Sequence, residues 1–375
     1  MLRPFLALAL LAITLLAGLD SAAAAPPVLQ AKTYYVESAY DRAVLAQRGS
    51  ALSRPMASIT KLMTVLVALE HARPDELVTV PRAATGIGES TLFLRPGERV
   101  TVRDLALGAL VPSANDAAMA LALYVGNGSV ERFVALMNAK AEQLGLGDTH
   151  YVNPHGLDQP GHVSSARDSA RLLRAALAVP FIRRAARLTR VETAGRTVAS
   201  TDDVLGLEPR IVGAKTGHTD GAGWSQTAAA RANGVTVYAA VLGSPSRSAR
   251  NADLLALLRW SLAQYRRVAT VTAGRTYAVA RAPYGRPGVR LVALRSEAHT
   301  VRVGRPLVER VVAAPSVSVP LARHARLGEV RVYDGGRLIA REPLVAANAV
   351  AEPGVLGKAR WYATRTLHHL AGLVS

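Results

Sequence analysis

Three textures of hydrophobic patterning run along the chain. Residues 5–19 are almost unbroken apolar, with Arg3 before them and the small residues Ser21-Ala22-Ala23-Ala24-Ala25 after. A basic start, a short apolar core and a small-residue end predict a secretory signal over 1–25, too short for a spanning helix. From residue 31 helical and strand periods alternate. Thr33-Tyr34-Tyr35-Val36 and Arg42-Ala43-Val44-Leu45 predict a β-hairpin, and the apolar run Val65-Leu66-Val67-Ala68-Leu69 predicts a buried helix. Val78-Thr79-Val80 and Thr91-Leu92-Phe93-Leu94 predict short strands flanking the turn Arg95-Pro96-Gly97-Glu98. Helices are predicted over 102–110, 117–124 and 131–144, and Ser164-Ser165-Ala166-Arg167-Asp168 carries the capping signature of another. Residues 210–219, 223–230 and 235–242 predict consecutive strands with short turns, hence an antiparallel sheet. A helix over 252–265, with Arg250 at its start, ends this region.

Beyond residue 266 the period shortens. Valine-rich alternating segments such as Val301-Arg302-Val303 and Glu329-Val330-Arg331-Val332-Tyr333, separated by turns like Asp334-Gly335-Gly336, predict an all-β module. The tail returns to a helical period. Leu356, Ala359, Ala363, Leu367, Leu370 and Val374 share one face, opposite Lys358, Arg365 and His369. Such a helix suits a membrane surface, and docking on the β module is the other use of that face. The pattern therefore predicts a signal peptide over 1–25, an α+β domain over 26–267, an all-β domain over 268–350 and an amphipathic tail over 351–375.

Composition narrows the chemistry. Half of the 375 residues are hydrophobic, enough to bury a large core. The formal net charge of +18 calls for an anionic partner. Arginine is spread along the whole chain and aromatics are only 5%, which argues against nucleic acid. With no cysteine there is no disulfide, thiolate or cysteine-held metal, and neither a metal nor another cofactor is expected. Only five lysines occur: Lys32, Lys61, Lys140, Lys215 and Lys358. Arginine serves elsewhere, yet arginine cannot lose its proton and lysine can.

Two of those lysines fall in motifs. In Pro55-Met56-Ala57-Ser58-Ile59-Thr60-Lys61, residues 58 and 61 share a helical face. A serine hydroxyl needs a neighbour to take its proton, and a lysine can do so once burial or another cation lowers its pKa. A hydroxyl in the first helical turn also lies beside unpaired N–H groups that can hold an oxyanion. One Ser-x-x-Lys pair is expected by chance in about every chain this long. Its weight comes from two further motifs later in the chain: Ser113-Ala114-Asn115 in a break between helices, then Lys215-Thr216-Gly217 on a strand. His155, in the turn-rich Asn153-Pro154-His155-Gly156-Leu157-Asp158, reads as a structural histidine.

The chain resembles the D-alanyl-D-alanine carboxypeptidases, low-molecular-mass penicillin-binding proteins with a C-terminal β domain and an amphipathic tail. The resemblance rests on the three motifs, on 155–158, 164–168 and 215–219, and on 341–346 before the tail. It implies an α+β penicillin-recognising serine transferase fold, an antiparallel sheet flanked by helices, with the β domain and tail helix appended. It implies Ser58 as nucleophile, Lys61 as its base, Ser113 as proton shuttle, and Asn115 as holder of the substrate amide and of Lys61. Lys215, Thr216 and Gly217 would line the carboxylate end, with the His218 N–H joining that of Ser58 in the oxyanion hole and Arg250 supporting carboxylate recognition. The implied reaction removes the terminal D-alanine from peptidoglycan stem peptides through an acyl-enzyme, and β-lactams would acylate the same serine. The implied location is periplasmic, peripheral on the outer face of the inner membrane. One departure stands in the chain: Asp202-Asp203-Val204-Leu205 replaces the asparagine and paired leucines common in the family. The alternatives are a β-lactamase or peptidoglycan endopeptidase on the same fold, and a non-catalytic wall-binding protein. No Glu-x-x-Leu-Asn segment for β-lactam deacylation is evident.

Overall fold

The structure, a computed structural model, describes residues 10–16 and 24–371. It divides into two compact units, one spanning Ala24–Gln264 and the other comprising the chain from Tyr265 onward with the N-terminal segment.

The Ala24–Gln264 unit is built on a five-stranded antiparallel sheet. Its strand order is Val44–Arg48, Thr33–Ser38, Val235–Ser244, Gly223–Ala232, Ile211–Thr219. The first and last segments in sequence thus meet at the middle of the sheet. Side chains alternate between its faces. Ala240 and Leu242 enter the large core with Leu173 and Leu177, and the helix Ala166–Ala178 packs there. Ala239 and Val241 are equally buried on the other face, where the helix Arg247–Ala263 packs. Both faces are covered, so the central strands read as apolar runs without polar alternation.

The helices Lys61–His71, Val102–Leu110, Asn115–Val125 and Val130–Gln143 form the rest of that core. Alanines at 117, 118, 120 and 122 are buried and let the helices approach closely. Ser129 and Ser165 cap their helices by accepting from the amides of Arg132 and Asp168.

Four sequence expectations are corrected. Thr91-Leu92-Phe93-Leu94 is not a strand; the strand Leu77–Thr79 pairs instead with Arg99–Thr101. The amides of Leu92 and Leu94 donate to the buried Asp116 carboxylate, at 3.0 Å each, so the segment needs no strand partner. The hairpin's second strand is Val44–Arg48, later than the 42–45 expected. The helix after the break begins at Asn115, not 117. The helix Arg247–Ala263 begins after its cap Ser246, so Arg250 lies inside its first turns.

The second unit contains a six-stranded antiparallel sheet, ordered Leu10–Leu16, Leu307–Ala313, Arg326–Asp334, Arg337–Ala346, Val289–Ala293, Thr276–Ala280. A two-stranded ribbon of Tyr265–Val271 and Glu297–Arg302 accompanies it, and Leu291, Val301, Val330, Val332 and Leu344 form its core. Leu10–Leu16, within the stretch read as a secretory signal, pairs with the strand Leu307–Ala313. The remainder of that signal, except Ala24 and Ala25, lies outside the described residues. The tail helix spans Val355–Ala371, with Val374 of the expected apolar face also outside them. Trp361 and Tyr362 meet the Tyr284 ring edge-on at 5.6 and 6.4 Å.

Candidate active site

Ser58 does not sit on an α-helix. It lies in a 3₁₀ turn, Ala57–Thr60, that leads into the helix Lys61–His71. Residues three apart eclipse in such a turn, which brings the two side chains together as the spacing requires. Lys61 Nζ donates to Ser58 Oγ at 2.6 Å and to the His155 carbonyl at 2.7 Å. Lys61 is fully buried. Burial pushes its pKa well below the ordinary lysine value, and the charge of Lys215 adds to that, against the opposing pull of Glu89 and Asp116.

The turn is wedged between two glycines. A Cβ on Gly156, whose φ is +94°, would stand 2.1 Å from the Ala57 carbonyl oxygen. A Cβ on Gly217 would stand 2.8 Å from the Met56 carbonyl oxygen and 3.0 Å from the Ser58 amide nitrogen. Gly217 therefore allows the strand Ile211–Thr219 to lie directly against the serine. Ala57 itself holds a left-handed φ of 49°, a strained conformation for a residue with a Cβ.

Across the cleft, Lys215 Nζ donates to Ser113 Oγ at 2.8 Å and to the Thr216 carbonyl at 3.0 Å. Lys215 is likewise buried, and burial brings its pKa down to about 7, with Asp202 resisting and Arg250 assisting. Ser113 has a left-handed φ of 67° between two helices. The expected tie from Asn115 to Lys61 is absent among the described residues. Asn115 Nδ2 donates to the Gly88 carbonyl at 2.8 Å, and the second acceptor of Lys61 is the His155 carbonyl. The Asn115 Oδ1 is buried without a partner among the described residues, free to accept from a ligand amide.

Ser58, Ser113, Thr216, Gly217, His218 and Arg250 line one cleft of about 380 Å³, with Lys61, Asn115 and Lys215 buried behind it. Arg250 is 2% exposed, with its guanidinium 5.6 Å from the Trp224 ring, which stacks at 4.1 Å on His218. The cleft also takes Glu89, Ser90, Ser200, Thr201, Trp224 and Arg247, which the motifs do not mark. Thr201 Oγ1 lies 2.8 Å from Thr216 Oγ1. The Asp202-Asp203 departure has a structural answer. Asp202 is buried and accepts from Gln226 Nε2 at 2.8 Å. Asp203 binds Arg247, Arg250 and Asn251. An acidic pair beside the motif strand was the available signal for these arginines.

His155 accepts from the Leu157 amide at its Nδ1. Burial, with the charges of Lys61 and His162, holds its pKa down at about 3. It is a neutral, structural ring whose carbonyl orients Lys61.

Residues 20–246 match the family model described as D-alanyl-D-alanine carboxypeptidase. The chain is 33% identical to D-alanyl-D-alanine carboxypeptidase DacD of Salmonella typhimurium, over 95% of this chain and 96% of that protein. It is 32% identical to DacA of Haemophilus influenzae, covering 89% of this chain and 88% of that one. Among solved structures, penicillin binding protein 5 from Haemophilus influenzae superposes with a TM-score of 0.63 at 29% identity, covering 88% of this chain and all (100%) of that one. The Streptomyces K15 DD-transpeptidase does so at 0.61 and 28%, covering 64% of this chain and 100% of that one.

Proposed function

The chain belongs to the D-alanyl-D-alanine carboxypeptidase family and carries its penicillin-recognising serine hydrolase fold, and from that premise we propose how it works. The enzyme is a serine hydrolase that removes the terminal D-alanine from peptidoglycan stem peptides, and it binds β-lactams at the same serine. The observation that carries the reading is the 2.6 Å contact between Ser58 Oγ and a fully buried Lys61.

Neutral Lys61 takes the Ser58 proton as Oγ attacks the penultimate carbonyl. The Ser58 and His218 amides receive the oxyanion. As the C–N bond breaks, the D-alanine nitrogen needs a proton, which returns from Lys61 by way of Ser113. Asn115 Oδ1 accepts from the substrate amide. Lys215, Thr216 and Arg250 hold the terminal carboxylate, which charge-assisted donors bind best. Water, deprotonated by the same lysine, then releases the acyl group and restores Ser58.

The same reading takes 1–25 as an export signal and the tail as a membrane-surface helix that keeps the enzyme at the inner membrane. No helix among the described residues is long and apolar enough to cross a membrane. Val355 and Leu356 are exposed, beside an aromatic cluster of Trp361 and Tyr362, the residue types that favour the membrane–water interface.

The test is covalent labelling by a fluorescent penicillin, with release of free D-alanine from a D-Ala-D-Ala pentapeptide. The parent is expected to do both. Ser58→Ala is expected to do neither, and stable labelling of that variant would remove Ser58 as nucleophile.

A further inference from the structure

The cleft is electrically two-sided. Arg247 and Arg250 stand by the motif strand, held by Asp203. On the opposite wall, beside the Asn115 loop, lies Glu89, the sole carboxylate among the cleft-lining residues. Glu89 is exposed and has no hydrogen-bond or ion-pair partner among the described residues. Its backbone is strained, with φ at 66°, in the left-handed region that a residue with a side chain rarely adopts. It is kept there from both sides by one residue. Asn115 Nδ2 donates to the Gly88 carbonyl at 2.8 Å, and the Ser90 carbonyl accepts from the Asn115 amide at 2.8 Å. Ser90 Oγ is tied in turn to the Pro112 carbonyl at 2.7 Å. A carboxylate without a hydrogen-bond or ion-pair partner, carried on a strained and tethered backbone at a cleft wall, is available to a ligand.

We propose that Glu89 is a specificity-determining residue that pairs with a free ammonium side chain on the acyl side of the substrate. This rests on the reaction assigned above. With the leaving D-alanine's carboxylate drawn to the arginines and Lys215, the peptide upstream of Ser58 runs along the Glu89 wall. The residue it fits is a diamino acid whose second amine is free. The contact is solvated, so its effect is a few-fold rather than a thousandfold.

Two peptides test it: Nα-acetyl-L-lysyl-D-alanyl-D-alanine with the ε-amine free, and the same peptide with that amine acetylated. The parent is expected to prefer the free amine by about three- to fivefold in kcat/KM at low salt. The preference should shrink as ionic strength rises from about 20 mM to about 0.3 M. Glu89→Gln should bring the ratio of the two rates near one, and Glu89→Lys should turn the preference toward the acetylated peptide. A parent ratio of one overturns the inference. So does an equal fall on both peptides in Glu89→Gln with the ratio kept, which would place Glu89's influence on Lys61. If the parent releases no D-alanine from either peptide and takes no penicillin label, the assigned reaction fails and this inference with it. A labelled, active parent with a ratio of one sinks the inference alone.

Discussion

At the residue scale the proposed mechanism depends on lysines kept from their usual charge. Lys61→Arg keeps the positive charge and approximate length but not the ability to lose a proton. It is expected to fold, and to lose at least about a hundredfold in penicillin acylation rate, the lower range for removing a general base. Lys140→Arg is the control, since Lys140 is not among the cleft-lining residues and pairs with Glu70 at 2.5 Å and Gln143 at 2.9 Å, contacts that an arginine can keep. Acylation by Lys61→Arg within a few-fold of the parent would exclude Lys61 as base. Burial brings the pKa of the Lys215 ammonium down to about 7. A lysine with a lowered pKa is cationic below that value and neutral above it, so the substrate carboxylate loses a partner as pH rises. The KM for a D-Ala-D-Ala peptide is therefore expected to climb above about pH 7. A KM flat from acid to mildly alkaline pH would show that Lys215 does not bind substrate as a cation.

At the scale of single elements, the loop 86–94 and the turn 57–60 are held by distant polar groups. Asp116 is 1% exposed and accepts from the amides of Leu92, Leu94 and Ala117. Asp116→Ala orphans those three buried donors and is expected to cost at least about 3 kcal/mol in denaturant unfolding, at roughly 1–3 kcal/mol per unsatisfied group. A cost under about 1 kcal/mol would mean the loop finds other acceptors. His162 buttresses the turn. Its Nδ1 accepts from the Val152 amide at 3.0 Å, so its Nε2 carries the hydrogen and donates to Thr60 Oγ1 at 2.8 Å. Burial, then the charge of His150, lowers its pKa to about 4. The folded ring resists protonation that the unfolded ring accepts, so stability is complete above about pH 6.5 and is lost as pH falls through about 4. His155 acts in the same direction. His162→Gln is expected to flatten this acid limb of the thermal-stability profile; an unchanged limb would assign it to other groups.

At the scale of the whole molecule, each unit has its own core, and the residues that line the candidate cleft belong to Ala24–Gln264. Removing 352–375 is thus expected to release the protein from the membrane fraction while leaving hydrolysis of a soluble peptide within about twofold. Full solubility of the intact mature chain would end the anchoring idea. Release is also expected to be salt-sensitive, because Lys358, Arg360 and Arg365 all lie on that helix.

The sequence by itself determined the local half of the site. Ser58 and Lys61 are three residues apart, and any tight helical turn joins them. Periodicity likewise determined the three consecutive strands over 210–242 and the helices 102–110 and 131–144 to within about two residues, because burial repeats with backbone geometry. Only the tertiary structure decided the rest. Lys215 meets Ser113 across 102 residues, and the His155 carbonyl meets Lys61 across 94. It also turned Thr91–Leu94 from a strand pattern into a loop, by offering Asp116 as acceptor. And it placed Glu89, Arg247 and Trp224, which no motif marks, on the walls of the cleft. A pattern of side chains reports how each segment meets its neighbours along the backbone. Which distant segment supplies a missing hydrogen-bond partner depends on chain closure, and that is settled only when the sheet and helices pack.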